Sequence, residues 1–169
     1  MINWILNLHY FSKRQAVYAI SLSTLLAGLL MAGRIYMSGS LTHIYLVWNL
    51  FLAWIPYLAG LWVAYTQQKY PRQWWLWPLP GLIWLAFFPN APYLVTDFIH
   101  LRWYPPVPLW YDVGLLTVFA WTGLFLAVFS LRAMQLLVKR LAGTVISWLF
   151  VLGMLGLSGL GVWLGRFLR

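Results

Sequence analysis

Five stretches of this 169-residue chain are apolar over lengths that fit or approach a membrane crossing: residues 16–33, 44–65, 74–88, 109–131 and 143–165. A span needs about 20 mostly apolar residues, because the hydrocarbon core is about 30 Å thick. The third stretch is short and carries Pro78 and Pro80 near its start. Composition closes the soluble alternative: 63% of residues are hydrophobic and 8% charged, where a soluble domain carries about a quarter charged. Disordered and collagenous chains fail on the same arithmetic. No internal repeat and no long linker divides the sequence. The fold class expected is therefore an all-α membrane protein. It is a single bundle of about five transmembrane helices over residues 16–169, preceded by an N-terminal interfacial segment over residues 1–15. In that segment Trp4, Ile5, Leu8 and Phe11 fall near one helical face, opposite Asn3, Asn7 and Arg14, a pattern that suits a helix lying in the interface. An irregular tail suits the same residues, and His9 is read as interfacial with no chemistry. The first span is expected to be retained rather than cleaved, since it is too long for a signal h-region and no A-x-A site follows.

The net charge of +9 comes from eleven Lys and Arg against Asp97 and Asp112, with no Glu. A nucleic-acid surface needs clustered cations on a folded face, whereas these sit singly or in pairs between apolar runs. No nucleic-acid partner is expected. Without Cys the chain has no disulfide, thiolate metal site or palmitoylation site. Placing the N-terminus in the cytoplasm puts Lys13, Arg14, Lys69, Arg72, Arg132, Lys139 and Arg140 inside and leaves Arg34, Arg102, Arg166 and Arg169 outside. Seven against four favours a multi-pass protein of the cell (inner) membrane, with its N-terminus cytoplasmic and its C-terminus outside. Trp74, Trp75 and Trp77 mark the inner boundary, and Trp103, Tyr104, Trp110 and Tyr111 the outer one.

Small residues mark helix contacts. Ala19, Ser23 and Ala27 form one row in the first span, and Thr24, Gly28 and Ala32 another. Gly153, Gly156 and Gly159 share one side of the last span, and Ser158, Gly161 and Gly165 another. Such rows let backbones approach closely in lipid. The partners they meet besides membrane lipids are neighbours in this chain, a second membrane protein or a second copy.

No Asp, Glu, Lys, Arg or His falls near the middle of any span, which disfavours a proton-coupled transporter. Polar residues gather instead at the outer edge. Asp97, His100, Arg102 and Asp112 lie between the third and fourth spans, His43, Arg34, Arg166 and Arg169 at other helix ends, and Asn49 about a turn and a half below. Pro89 and Pro92 end the third span, and residues 92–101 read as a short interfacial or re-entrant helix. Three apart, Asp97 and His100 would share one side of it. The candidate catalytic residues are Asp97, His100 and Asp112, since a carboxylate beside an imidazole orients a base. The candidate metal ligands are Asp97, His100, Asp112 and His43, for a divalent metal as the cofactor. Asn49, Asn90, Arg102 and Arg166 are the candidate substrate contacts. The plainer reading is an Asp–His or Asp–Arg pair that fixes the loop. The chain has no P-loop, G-x-G-x-x-G, H-E-x-x-H or G-x-S-x-G, and no two histidines face each other within the bilayer for a haem.

Several blocks are distinctive together: Trp48 to Pro56, Phe88 to Leu101, Trp110-Tyr111-Asp112, Ala120 to Gly123, Ser130-Leu131-Arg132 and Gly165 to Arg169. With them the chain resembles, from about residue 44 onward, a bacterial membrane family known as domain of unknown function 1361. The resemblance implies a multi-span membrane protein and places the family's recurring polar residues at Asn49, Asn90, Asp97, His100, Asp112 and Arg166. It also implies a polar-aromatic stretch with another Asp beyond the position of Arg169. Three functions stay open: a small accessory or scaffold subunit of a membrane assembly, a membrane-embedded enzyme or metal-binding protein with an outer-face Asp/His site, and a channel or permease.

Overall fold

The computed structural model describes residues 16–167, with side chains through Leu164; the expected interfacial segment, His9, Lys13 and Arg14 lie outside the described residues. Helix α1 runs over Val17–Ser38 and α2 over Tyr45–Lys69. The third crossing, Trp74–His100, is broken. A 3-10 turn at Trp74–Leu76 leads into α3, Pro78–Phe87, then the single turn α4, Asn90–Tyr93, and a 3-10 stretch at Leu94–His100. Helix α5 spans Leu109–Ala142 and α6 Thr144–Phe167. Among the described residues five elements are long and apolar enough to cross a membrane, so this is a multi-pass membrane protein.

Two helices outrun their expected ends for a physical reason. Leu131 to Leu141 holds Arg, Ala, Met, Gln, Leu and Lys, all good helix formers, so the α5 backbone continues past the apolar stretch until Gly143. That glycine sits at φ 89°, a conformation costly for residues with a side chain, and it joins α5 directly to α6. Helix α1 likewise continues past Gly33 to Ser38 and closes on Gly39 at φ 62°. Arg34 therefore lies inside α1 rather than beyond it. The break in the third crossing follows from Pro89 and Pro92, which remove backbone donors. The Asn90 amide answers one freed acceptor by donating to the Phe87 carbonyl at 3.0 Å. The short helical segment expected after the prolines is present as the C-terminal part of this broken crossing.

Helices α2 and α5 form the central pair. They approach closely at Gly60, where a Cβ would lie 3.3 Å from the Ser130 Cα. The core they share with the broken crossing includes Tyr57, Trp84, Phe88, Phe119 and Leu126. The small-residue rows of α1 are used within the chain only in part: Gly28 faces open space, whereas Ser23 and Thr24 are engaged. Ser23 shares a hydrogen bond with Thr122 of α5, and Thr24 accepts one from the Trp54 indole of α2 at 3.2 Å. Tyr111 lies over Gly33 and donates to the Leu30 carbonyl at 2.7 Å. Helix α6 leans on α5 and on the broken crossing, with Phe150 beside Trp84 and Gly161 beside Pro89.

The two ends of the bundle differ in chemistry. At the basic end the Arg140 guanidinium bridges the Gln67 and Pro71 carbonyls at 3.3 and 3.1 Å and stacks over Trp77. Lys69, Arg72 and Lys139 are exposed beside it. The opposite end holds both acids.

Candidate functional site at the polar end

The last turns of α1, the start of α2, the 3-10 stretch and the first turn of α5 meet at this end. Their polar side chains are buried despite the apolar sequence around them. Arg34 is 1% exposed and Asp112 is fully buried. The guanidinium grips the carboxylate on both oxygens, Nε to Oδ1 at 2.7 Å and Nη2 to Oδ2 at 3.3 Å. A charge taken out of water is costly unless it is paired and hydrogen-bonded, and the two-point grip meets that condition. Asp97, 1% exposed, accepts from the Asn49 amide at 3.1 Å, which ties the broken crossing to α2.

The 3-10 stretch places residues three apart in one row, as the Asp97–His100 spacing requires. Leu94 and Asp97 in that row are buried. His100, at the end of the stretch, is exposed, with its ring edge-on to Tyr45 at 5.6 Å. His43 sits in the α1–α2 connection, 2% exposed, stacked on Tyr45 at 6.0 Å and edge-on to Tyr104 at 5.8 Å. Its Nδ1 has no hydrogen-bond partner within the described residues. Burial, reinforced by the Arg34 cation and by His100, lowers the His43 pKa below its ordinary 6.5, against a smaller opposing pull from Asp112.

That direction has a consequence for pH. The unfolded chain protonates His43 near its ordinary value, while the folded chain resists until lower pH. Stability is therefore complete above about pH 6.5 and declines on acidification below it. Thermal unfolding in detergent between pH 7.5 and 5 should show a falling midpoint in the parent, and a flatter profile in His43→Gln. Equal slopes in the two proteins would remove His43 as the cause.

Asn49, Asp97, Asp112, His43 and His100 among the sequence-derived candidates thus lie at one end of the bundle. Among the described residues no three His, Asp or Glu assemble where a metal ion would need them. Asp112 is occupied by Arg34 on both oxygens, and Asp97 is engaged by Asn49. Of the candidate substrate contacts, Asn49 and Asn90 make structural hydrogen bonds. Arg102 is exposed in the connection before α5. Arg166 lies in α6, its side chain outside the described set. Sequence reasoning allowed for an Asp–Arg pair without naming Arg34 as the partner of Asp112, and it missed the aromatic setting of His43. One signal was available for the first: a chain with two acids and an Arg in the apolar run Met31-Ala32-Gly33-Arg34-Ile35 has few ways to neutralise a buried cation.

Five apolar crossings with a polar plug at one end define a helical, multi-pass membrane protein. Over residues 48–169 the chain matches the family described as Protein of unknown function (DUF1361), and it belongs to that family. No curated protein and no solved structure matches it.

Proposed function

We propose that this chain is a structural, accessory subunit of a membrane assembly, holding a partner's transmembrane helix along the glycine side of α6. The observation that carries this reading is the open strip at Gly153, Gly156 and Gly159, where an added Cβ would meet nothing within 4 Å. A glycine inside a helix costs about 1 kcal/mol relative to alanine, and here no contact within the chain offsets it. Small residues at such spacing admit a second backbone in lipid. The flanking Leu152, Leu155 and Leu160 are more than half exposed, ready to pack around an incoming helix. The small residues of α1 are by contrast partly engaged inside the bundle.

The test is the size of the complex extracted from native membranes in mild detergent. The parent should elute with a partner, and Gly156→Leu/Gly159→Leu should elute alone, with an unfolding midpoint no lower than that of the parent chain freed of its partner. Identical elution of both proteins would overturn the reading.

A second reading rests on His43. Its buried, unpartnered Nδ1 beside Tyr104 supports a small hydrogen-bonding ligand at the polar end, where an enzyme or binding site would lie. Under that reading His43→Phe abolishes binding or turnover and leaves the complex on α6 intact. The variants on α6 do the reverse.

A further inference from the structure

The chain's only two acidic side chains both lie at the polar end, so the cations of the basic end have no carboxylate to neutralise them. Lys69, Arg72, Lys139 and Arg140 cluster there, with Trp74 and Trp75 65% and 59% exposed beside them. The counter-charge has to come from outside the chain.

A groove leads away from these cations. It lies between α2 and α3, lined by Ile55, Leu58, Ala59, Trp62, Leu79 and Ile83, with a volume of about 310 Å³ and an apolar surface. The α2 residues in it follow the i, i+3, i+4, i+7 spacing of one helical stripe. Continued, that stripe reaches Tyr65 and then Lys69. The Lys69 ammonium is held in place, donating to the Tyr65 hydroxyl at 2.9 Å and lying over the Tyr65 and Tyr70 rings at 5.4 Å. From Ala59, at the groove's floor, to Lys69 is roughly 15 Å at 1.5 Å per residue, about half the thickness of a hydrocarbon core.

We propose that the groove and its adjoining cations form a binding site for an anionic phospholipid. One acyl chain lies along Ala59, Trp62 and Ile83, and the phosphate rests against Lys69 and Arg72. The rise from the groove to Lys69, roughly 15 Å, is of the order of one leaflet of hydrocarbon. Charge complementarity selects an anionic headgroup over a zwitterionic one, and the groove selects a lipid over a free phosphate. Clustered Lys and Arg at a membrane surface recognise anionic headgroups in this way. The site is independent of the α6 strip and goes beyond the accessory role.

The test uses the delipidated full chain in a neutral detergent, titrated with three probes: dioleoyl phosphatidylglycerol, dioleoyl phosphatidylcholine and glycerol 3-phosphate. Only the first should raise the unfolding midpoint. Lys69→Gln/Arg72→Gln, both changes at exposed side chains, should need about thirtyfold more phosphatidylglycerol for the same shift, from about 1 kcal/mol per cation. Ile83→Trp should block the groove and lose the shift with the cations intact. Leu79→Trp serves the same purpose should the first fail to fold. An equal shift with phosphatidylcholine or glycerol 3-phosphate would overturn the proposal. So would an unaltered response in the double charge variant.

Discussion

Replacing Arg34 with Met should cost the protein about 3–5 kcal/mol, because it leaves the carboxylate of Asp112 buried without a counter-ion. Asp112→Leu should cost a similar amount from the other side, stranding a guanidinium that is 1% exposed. The combination Arg34→Met/Asp112→Leu should recover most of the loss. Two apolar side chains of similar volume often replace a buried ion pair at little net cost, since neither charge then needs desolvating. Reversible unfolding in mixed micelles, with all four proteins of the cycle, gives the coupling directly. Additive losses in the double variant would mean that the two residues do not act as a pair. The same cycle separates structure from chemistry: were Asp112 a reacting group, the double variant would regain stability and stay inactive.

Gly123→Ala carries the second large effect, and its sign opposes helix propensity. Alanine within a helix gains about 1 kcal/mol over glycine. At position 123, however, the new Cβ would lie 2.7 Å from the Ala91 carbonyl oxygen and 2.8 Å from Leu94. The first of these is backbone, fixed at the turn between Pro89 and the 3-10 stretch, and it has nowhere to move. Overpacking of this kind costs about 1–3 kcal/mol, so a net loss is expected, larger for Gly123→Val. Gly114 on the same helix has nothing within 4 Å, and Gly114→Ala should be neutral or stabilising. The contrast within α5 is the measurement: parallel thermal unfolding of both alanine variants. Equal midpoints would mean that the broken crossing does not seat on Gly123.

Much of this architecture was legible in the sequence because apolar length is a long-range property that survives local detail. The five crossings, the proline break and the segregation of polar residues toward one end all follow from it. Pairing was not legible. Arg34 and Asp112 are 78 positions apart, and nothing local in either neighbourhood names the other. Asp97 and His100 show the converse: their spacing was read properly and the row exists. Yet Asp97 is buried in the bundle while His100 is exposed, a difference that spacing alone does not set. The glycines of the first and last spans looked alike as strings. Only the packed bundle separates Gly161, beside Pro89, from Gly28 and Gly156, which face open space.

The distance along the chain between Arg34 and Asp112 also sets a schedule for synthesis. Arg34 leaves the ribosome 78 residues ahead of its partner, a delay of about 4–16 s at 5–20 residues per second. Over that interval the first crossing carries an unneutralised cation near its end, costly to draw deep into lipid. The ion pair that holds Arg34 can form only once the fourth crossing supplies the carboxylate, so the seam between the first and fourth crossings is expected to close late in synthesis.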